Sequence, residues 1–122
     1  MTANPSITLS SDDATRLAQL IEGRDDAVVE LLEDELSRAT VVPRSALPAD
    51  VVCVGSQVRY RNGDTERDLT LVWPHEAGDG RVSVLTPVGA ALIGLRPGQQ
   101  IAWPLPGNRM ATLEVLSVAN AS

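Results

Sequence analysis

The chain has 122 residues, of which 43% are hydrophobic and only 2% aromatic, so its core must be aliphatic and an aromatic-lined ligand pocket is excluded. The formal net charge is −6 without a basic stripe, which disfavours direct nucleic-acid binding because that binding neutralises phosphates. The single cysteine, Cys53, excludes an internal disulfide, and no apolar run is long enough to cross a bilayer, so we expect a cytoplasmic protein.

The negative charge is concentrated in the first part of the chain. Residues 1–50 carry ten acids and four arginines, a net charge of −6, whereas residues 51–122 carry six of each, a net charge of zero. An acidic half of this kind suits a basic protein surface as its partner. The alternative is a solvated acidic helix face without a partner.

Two short amphipathic helices are predicted in this acidic part. Ser10 or Ser11 caps the first helix and Gly23 ends it; Asp25 or Asp26 caps the second. The apolar stripe of the second helix is expected at Val28, Leu31, Leu32 and Leu36. The helices should fold back as an antiparallel hairpin. Because helices this short are marginal alone, the hairpin must rest on the second half of the chain or on a partner.

The remainder of the chain has the period of two that is typical of strands. Thr40 to Asp50 is predicted to be a linker, since it contains two prolines. Five strands follow from Val51 onward, with a hairpin turn at Asn62-Gly63 and a turn at 106–108. After Val115 the apolar residues shift to Leu116 and Val118, which indicates either a bulge or burial of both faces. We therefore predict an α+β fold: a short antiparallel helical hairpin at 1–42, a linker at 43–50, and an antiparallel β-sheet domain with one short helix at 51–122.

The one helix expected in the sheet domain lies between Thr86 and Gly94. Pro87 suits its first turn, because proline has a fixed φ and its missing N–H costs nothing there. Gly94 supplies a left-handed stop. Since the helix is short and apolar, with strands on both sides, it should plug one face of the sheet.

The order of residues around this helix resembles a known family. Val82 to Val118 is similar to the C-terminal domain of the bacterial Gre transcript-cleavage factors, and more closely to the Rnk group of that family, called regulators of nucleoside diphosphate kinase. The matching motifs are Thr86-Pro87, Ala91-Leu92-Ile93-Gly94, Pro97-Gly98, Pro106-Gly107 and Leu113-Glu114-Val115-Leu116. The similarity extends upstream through Asp50-Val51-Val52, Arg59-Tyr60-Arg61-Asn62 and Leu69-x-x-Val72-x-Pro74, so that about residues 8–119 are covered.

The resemblance implies a fold and a partner. The C-terminal domain is expected to be FKBP-like and to dock on bacterial RNA polymerase at the rim of the secondary channel. The implied polymerase-binding residues are Thr86, Pro87, Val88 and Gly89, and the implied channel contacts at the hairpin tip are Arg24, Asp25 and Asp26.

The leading functional hypothesis is a monomeric, non-enzymatic regulator that binds RNA polymerase, competes with Gre factors and needs no cofactor. The hairpin is far shorter than the Gre coiled coil, so it should not stimulate transcript cleavage. The alternatives are an active Gre-like cleavage factor, a peptidyl-prolyl isomerase suggested by the FKBP-like fold, and a general protein-interaction module.

Few residues point to chemistry of their own. The adjacent carboxylates of Asp25 and Asp26 would form only a weak cation site. A role in capping the second helix explains their presence as well. The only histidine, His75, is expected on the surface, and Cys53 is expected to be a partly buried thiol without catalytic role. Trp73 and Trp103 alternate with apolar neighbours and are expected in the core. We therefore predict no catalytic residue and no metal ligand.

Overall fold

The computed structural model describes residues 7–105, 107 and 109–120, and its helices and strands confirm the predicted α+β class. The strands are β1 (Thr8–Ser10), β2 (Thr40–Val42), β3 (Gln57–Asn62), β4 (Thr65–Val72), β5 (Arg81–Ser83), β6 (Gln100–Leu105) and β7 (Arg109–Ala119). The α-helices are α1 (Ser11–Ile21), α2 (Ala27–Arg38) and α3 (Pro87–Leu92). Short 3₁₀ turns occupy Arg44–Ala46 and Pro74–Glu76. No helix in this part of the chain is long and apolar enough to span a membrane.

The helical hairpin forms for the predicted reasons. The Ser10 hydroxyl accepts a hydrogen bond of 3.1 Å from the Asp13 N–H, which caps α1. Gly23 turns the chain with a φ of 78°. Asp26 then caps α2, accepting a bond of 3.0 Å from the Val29 N–H. Each cap satisfies a donor that the first turn of a helix leaves without a partner.

The buried face of α2 differs from the predicted stripe. The fully buried residues are Val29, Leu32 and Glu35, of which only Leu32 was expected. The other predicted positions, Val28, Leu31 and Leu36, are half-buried at the margin of the core. Helix α2 is contacted by both α1 and α3, so its most buried line lies between the two contacts.

Part of the predicted linker is a strand. Residues Thr40–Val42 form β2, which pairs in parallel with β1 in the register Thr8↔Thr40 and Ser10↔Val42. The Thr40 N–H also donates to the Ile7 carbonyl at 2.9 Å. Because the hairpin is antiparallel, the chain leaves α2 beside the point where it entered α1. The linker prediction was therefore wrong for residues 40–42.

The main sheet has the strand order β5-β4-β3-β7-β6. Its pairs are antiparallel, as predicted, apart from β4 and β5, which are parallel. The predicted bulge is confirmed: Arg59 pairs with Ser117 and Tyr60 with Val115, which leaves Leu116 as the extra residue. The predicted turn at 106–108 lies partly outside the described residues.

The first sheet strand begins at Gln57, later than the expected Val51. Gly55 has a φ of 100° and interrupts the alternation. Val52 is nevertheless buried, and its N–H donates to the Leu95 carbonyl at 2.8 Å while its carbonyl accepts from Gly94 at 2.8 Å. This segment is therefore tied to the end of α3 rather than to the sheet.

The hairpin rests on the second half of the chain. A single cluster of buried side chains includes residues of α1, α2, α3 and the main sheet. Residues 90–93 are fully buried, so α3 plugs the sheet as predicted. A Cβ at Gly94 would lie 2.6 Å from the Cβ of Ile7, which requires glycine where β1 crosses the end of α3. Trp73 and Trp103 are buried, which confirms their expected place in the core.

Candidate functional site

The corner between β5 and α3 is held by a compact set of hydrogen bonds. The Thr86 hydroxyl donates to the Ser83 carbonyl at 2.8 Å and accepts from the Gly89 N–H at 3.1 Å. It thus joins the end of the strand to the first turn of the helix. Pro87 occupies that first turn, where no N–H is needed. The corner therefore has a defined backbone shape before any partner binds.

Gly89 allows α3 to lie directly on the strand. A Cβ at this position would fall 2.2 Å from the Ser83 carbonyl oxygen and 3.1 Å from a methyl group of Leu71. A real Cβ does not approach a backbone atom so closely, so any larger residue must push α3 away from the sheet. Gly89 is buried and acts on the corner through packing.

An apolar groove of about 370 Å³ opens beside this corner. Thr86, Pro87 and Val88 form one wall, and all three are half-buried. The opposite wall comes from the main sheet and consists of Tyr60, Leu69, Val82 and Arg109. Three of the four corner residues expected to bind a partner therefore share one concave surface, and the fourth, Gly89, sets its shape.

Tyr60 gives the groove a polar group. Its side chain is 6% exposed, and burial raises the pKa of its hydroxyl while the charge of Arg67 lowers it. Tyr60 and Arg67 are direct cross-strand partners, so they lie on the same face of the sheet. The sequence signal that could have revealed this wall is the alternation of apolar residues that places Val58 and Tyr60 on the same face of β3. Arg109 also lines the groove, although it lies on the part of β7 beyond its pairing with β3, which ends at Asn62↔Leu113.

The hairpin tip is a separate surface. The Arg24 guanidinium donates from Nε to the Leu20 carbonyl at 3.0 Å, Asp25 is exposed, and Asp26 caps α2. No hydrogen bond or ion pair links these three residues to the corner at 86–89. No group of three or more potential metal ligands occurs in the described ranges. The groove at the corner and the surface depression beside Arg24 share no lining residue.

The other candidates show no arrangement for catalysis. His75 is exposed, as predicted. The Cys53 thiol is half-buried and lies 3.4 Å from the Ser56 hydroxyl, which also bonds the amide oxygen of Asn120. The Asn120 amide nitrogen donates to the Val51 carbonyl at 3.0 Å. This cluster fastens the end of β7 to the loop before β3.

The sequence pattern did not indicate the burial of two carboxyl groups, those of Glu35 and Asp13. Glu35 is 3% exposed, and neither of its carboxylate oxygens has a hydrogen-bond partner. Burial raises its pKa to about 8, an effect that the nearby charge of Arg38 only partly offsets. Asp13 is also buried, but its carboxylate accepts a hydrogen bond of 3.2 Å from the Val54 N–H.

The N-terminal and the C-terminal part of the chain each match a known protein family. Residues 47–120 match the profile of the GreA/GreB transcription elongation factor C-terminal region, and residues 5–42 match that of the Rnk N-terminus. The chain is 41% identical over 123 residues to the regulator of nucleoside diphosphate kinase of Escherichia coli (strain K12), which covers 95% of this chain and 90% of that protein. It is 42% identical over 91 residues to the transcription elongation factor GreA of Rhodospirillum rubrum, but covers only 55% of that protein.

Solved structures lead to the same assignment. A prokaryotic transcription elongation factor GreA/GreB from Nitrosomonas europaea superposes with a TM-score of 0.77 at 39% identity, covering 95% of this chain and 99% of the other. Gfh1 of Thermus aquaticus, at 21% identity and a TM-score of 0.52, shares the fold. The chain therefore belongs to the GreA/GreB family of transcription elongation factors and, within it, to the Rnk group of regulators.

Proposed function

We propose that this protein is a regulator that binds bacterial RNA polymerase at the rim of the secondary channel and competes there with Gre factors. It would act by occupancy, without a catalytic step of its own. The observation that carries the proposal is the apolar groove at the Thr86–Val88 corner, which lies within the segment shared with the GreA/GreB elongation factors.

The groove has the properties of a docking site. It is lined mainly by apolar side chains, and its wall from α3 is held in place by the Thr86 bonds and by the close approach at Gly89. Burying one aliphatic side chain of a partner in such a groove is worth about 1.5–3 kcal/mol. A preformed groove also avoids the entropy cost of ordering a loop during binding. These features favour the corner as the main anchor.

The hairpin supports a role without transcript cleavage. Its helices have 11 and 12 residues, so each spans only about 16–18 Å. At the tip, Asp26 is engaged as the cap of α2, which leaves Asp25 as the one uncommitted carboxylate of the pair. One carboxylate is a poor ligand set for a divalent cation. The tip would therefore enter the channel mouth without supplying a metal-binding group to the polymerase active site.

The test is a competition experiment on core RNA polymerase. The protein should co-purify with the polymerase, and excess protein should displace a labelled Gre factor. In the same assay it should leave the rate of transcript cleavage in stalled complexes at the basal value. Failure to displace the Gre factor would show that the docking proposal is wrong, and stimulated cleavage would favour the active cleavage factor instead.

A matched pair of variants locates the anchor. Val88→Asp places a charge in the groove, yet an acid in the first turn of α3 is compatible with the helix dipole, so the fold should persist. Val41→Asp makes the same change on β2, where the valine is 48% exposed and does not line the groove. We expect Val88→Asp to lower polymerase affinity about tenfold or more, since the new carboxylate must lose its water when a partner's aliphatic side chain enters the groove, and Val41→Asp to bind like the wild type.

A further inference from the structure

The charges of the main sheet are divided between its two faces. On the outer face, Arg59 pairs with Glu66 at 3.1 Å and with Asp68 at 3.2 Å. Arg61 pairs with Glu66 at 3.2 Å and with Glu114 at 3.3 Å. These three acids are all the acidic residues of β3, β4 and β7. Both outward-facing arginines of β3 are therefore paired with acids, and the Arg61 hydrogen bond lowers the pKa of Glu66 accordingly.

Beside the groove, the inner face of the sheet carries an excess of positive charge. Arg67 lies directly across from Tyr60, and Arg109 lines the groove beside Tyr60 and Leu69. Both arginines are exposed, and no acidic residue lines the groove. Arg67 makes no ion pair with any residue that the structure describes. The apolar groove thus has a positively charged rim, although the protein as a whole has a net charge of −6.

From this arrangement we infer that the groove binds a segment of RNA polymerase that presents an aliphatic side chain with a carboxylate beside it. The aliphatic side chain enters between Leu69 and Val88, and the carboxylate meets Arg67 or Arg109 at the rim. Guanidinium groups suit carboxylates because they donate two parallel hydrogen bonds. The inference rests on the proposed function and adds the chemistry of the partner surface.

A nucleic-acid ligand fits the same surface less well. Arginines can also bind phosphate, but single-stranded nucleic acid binds largely by stacking its bases on aromatic side chains. Tyr60 is the one aromatic residue in the groove lining, since Trp73 and Trp103 are buried in the core. Apart from Thr86 and Arg109, the rest of the lining is aliphatic, which matches a protein side chain.

The rim charges should make binding specific and dependent on salt. Charged pairs at the edge of an interface raise the association rate and fix the orientation of the partners more than they add affinity. Such pairs are screened over about 8–10 Å at physiological ionic strength. Affinity for polymerase should therefore fall with added salt, and removing a rim arginine should flatten that dependence.

The experiment measures binding to nuclease-treated core RNA polymerase between about 50 and about 300 mM salt, a range over which screening changes strongly. Arg67→Gln and Arg109→Gln remove the rim charges one at a time. Arg81→Gln is the control: it is exposed on neighbouring β5, and because Val82 lines the groove, strand alternation directs Arg81 to the other side. Each rim variant should lose about two- to tenfold in affinity at low salt, and Arg81→Gln should match the wild type.

The outcomes separate this inference from the proposed function. If the wild type binds polymerase but both rim variants keep its affinity and salt dependence, the inference is wrong and the proposed function stands. If the wild type does not bind polymerase, both are wrong. If the loss in the rim variants appears only when nucleic acid is present, the ligand of the rim is phosphate, which also overturns the inference.

Discussion

The guanidinium carbon of Arg16 lies 4.4 Å from the centroid of the Trp73 ring, which joins α1 to the end of β4. A second contact lies close by in sequence: the Asp13 carboxylate accepts from the Val54 N–H at 3.2 Å. Both contacts come from α1 and reach the main sheet or the loop before it. Together with the shared core, they hold the helical hairpin in one orientation on the sheet domain.

Replacing Arg16 tests the first of these contacts. Arg16→Ala should lower the free energy of unfolding by about 0.5–1 kcal/mol, the usual size of a cation–π contact at an exposed site. Arg16→Lys should lose less, since it keeps the positive charge. Urea denaturation measures both changes. Equal stability of Arg16→Ala and the wild type would show that the stacking contributes nothing.

Glu35 should make the stability of the protein depend on pH. Its pKa is about 8 in the fold against an ordinary value of 4.5, so the unfolded chain ionises first as pH rises. The folded state therefore loses stability between about pH 4.5 and 8, by about 1.4 kcal/mol per pH unit and on the order of 3 kcal/mol at pH 7. Below pH 4.5 both states are protonated and this penalty vanishes.

Two variants of Glu35 check the sign. Glu35→Gln removes the titration, and Glu35→Met also removes the buried polar group, so both should flatten the pH dependence and Glu35→Met should be the more stable near pH 7. Glu33→Gln, an exposed change on the same helix, should retain the wild-type slope. Unfolding free energies measured from about pH 4 to pH 9 show whether Glu35 causes the pH dependence of stability. A wild-type slope in Glu35→Gln would contradict the assignment.

Gly89→Ala should disturb the corner itself. The new methyl group would collide with the Ser83 carbonyl, so α3 must shift and the unfolding free energy should drop by about 1–3 kcal/mol. Polymerase affinity should fall by more than the reduced fraction of folded protein explains, because the groove wall moves with α3. Thermal denaturation and the competition assay, run on the same sample, separate the two effects. Unchanged stability would show that the corner tolerates a wider spacing.

The tip acids should differ in what they do for the fold. Asp26→Ala removes the α2 cap and should cost about 1 kcal/mol, whereas Asp26→Asn keeps a capping oxygen and should cost little. Asp25→Ala should be neutral in a denaturation experiment, since Asp25 is exposed and makes no capping bond. If Asp26→Ala instead left stability unchanged and altered only polymerase binding, the tip would act as a channel contact rather than as a cap.

The sequence by itself determined the local elements and the family. Ser10, Asp26 and Thr86 cap helices because their side-chain oxygens reach nearby N–H groups along the same stretch of chain. Asn62-Gly63 turns the chain, and the change of alternation after Val115 marked the bulge at Leu116. Signals of this kind depend on residues a few positions apart, so they can be recognised without the fold.

The tertiary structure decided what depends on distant contacts. Helical periodicity placed Leu32 inside correctly, but the contacts of α2 with α1 and α3 turned Glu35 inward as well. The pairing of residues 8–10 with 40–42 joins segments on either side of the helical hairpin, about 30 residues apart in sequence. The groove likewise needs several distant elements: strand register places Arg67 opposite Tyr60, and the fold adds Arg109 of β7 and the start of α3 to the same lining. Burial, strand neighbours and the division of charge between sheet faces are properties of packing, and no local pattern contains them.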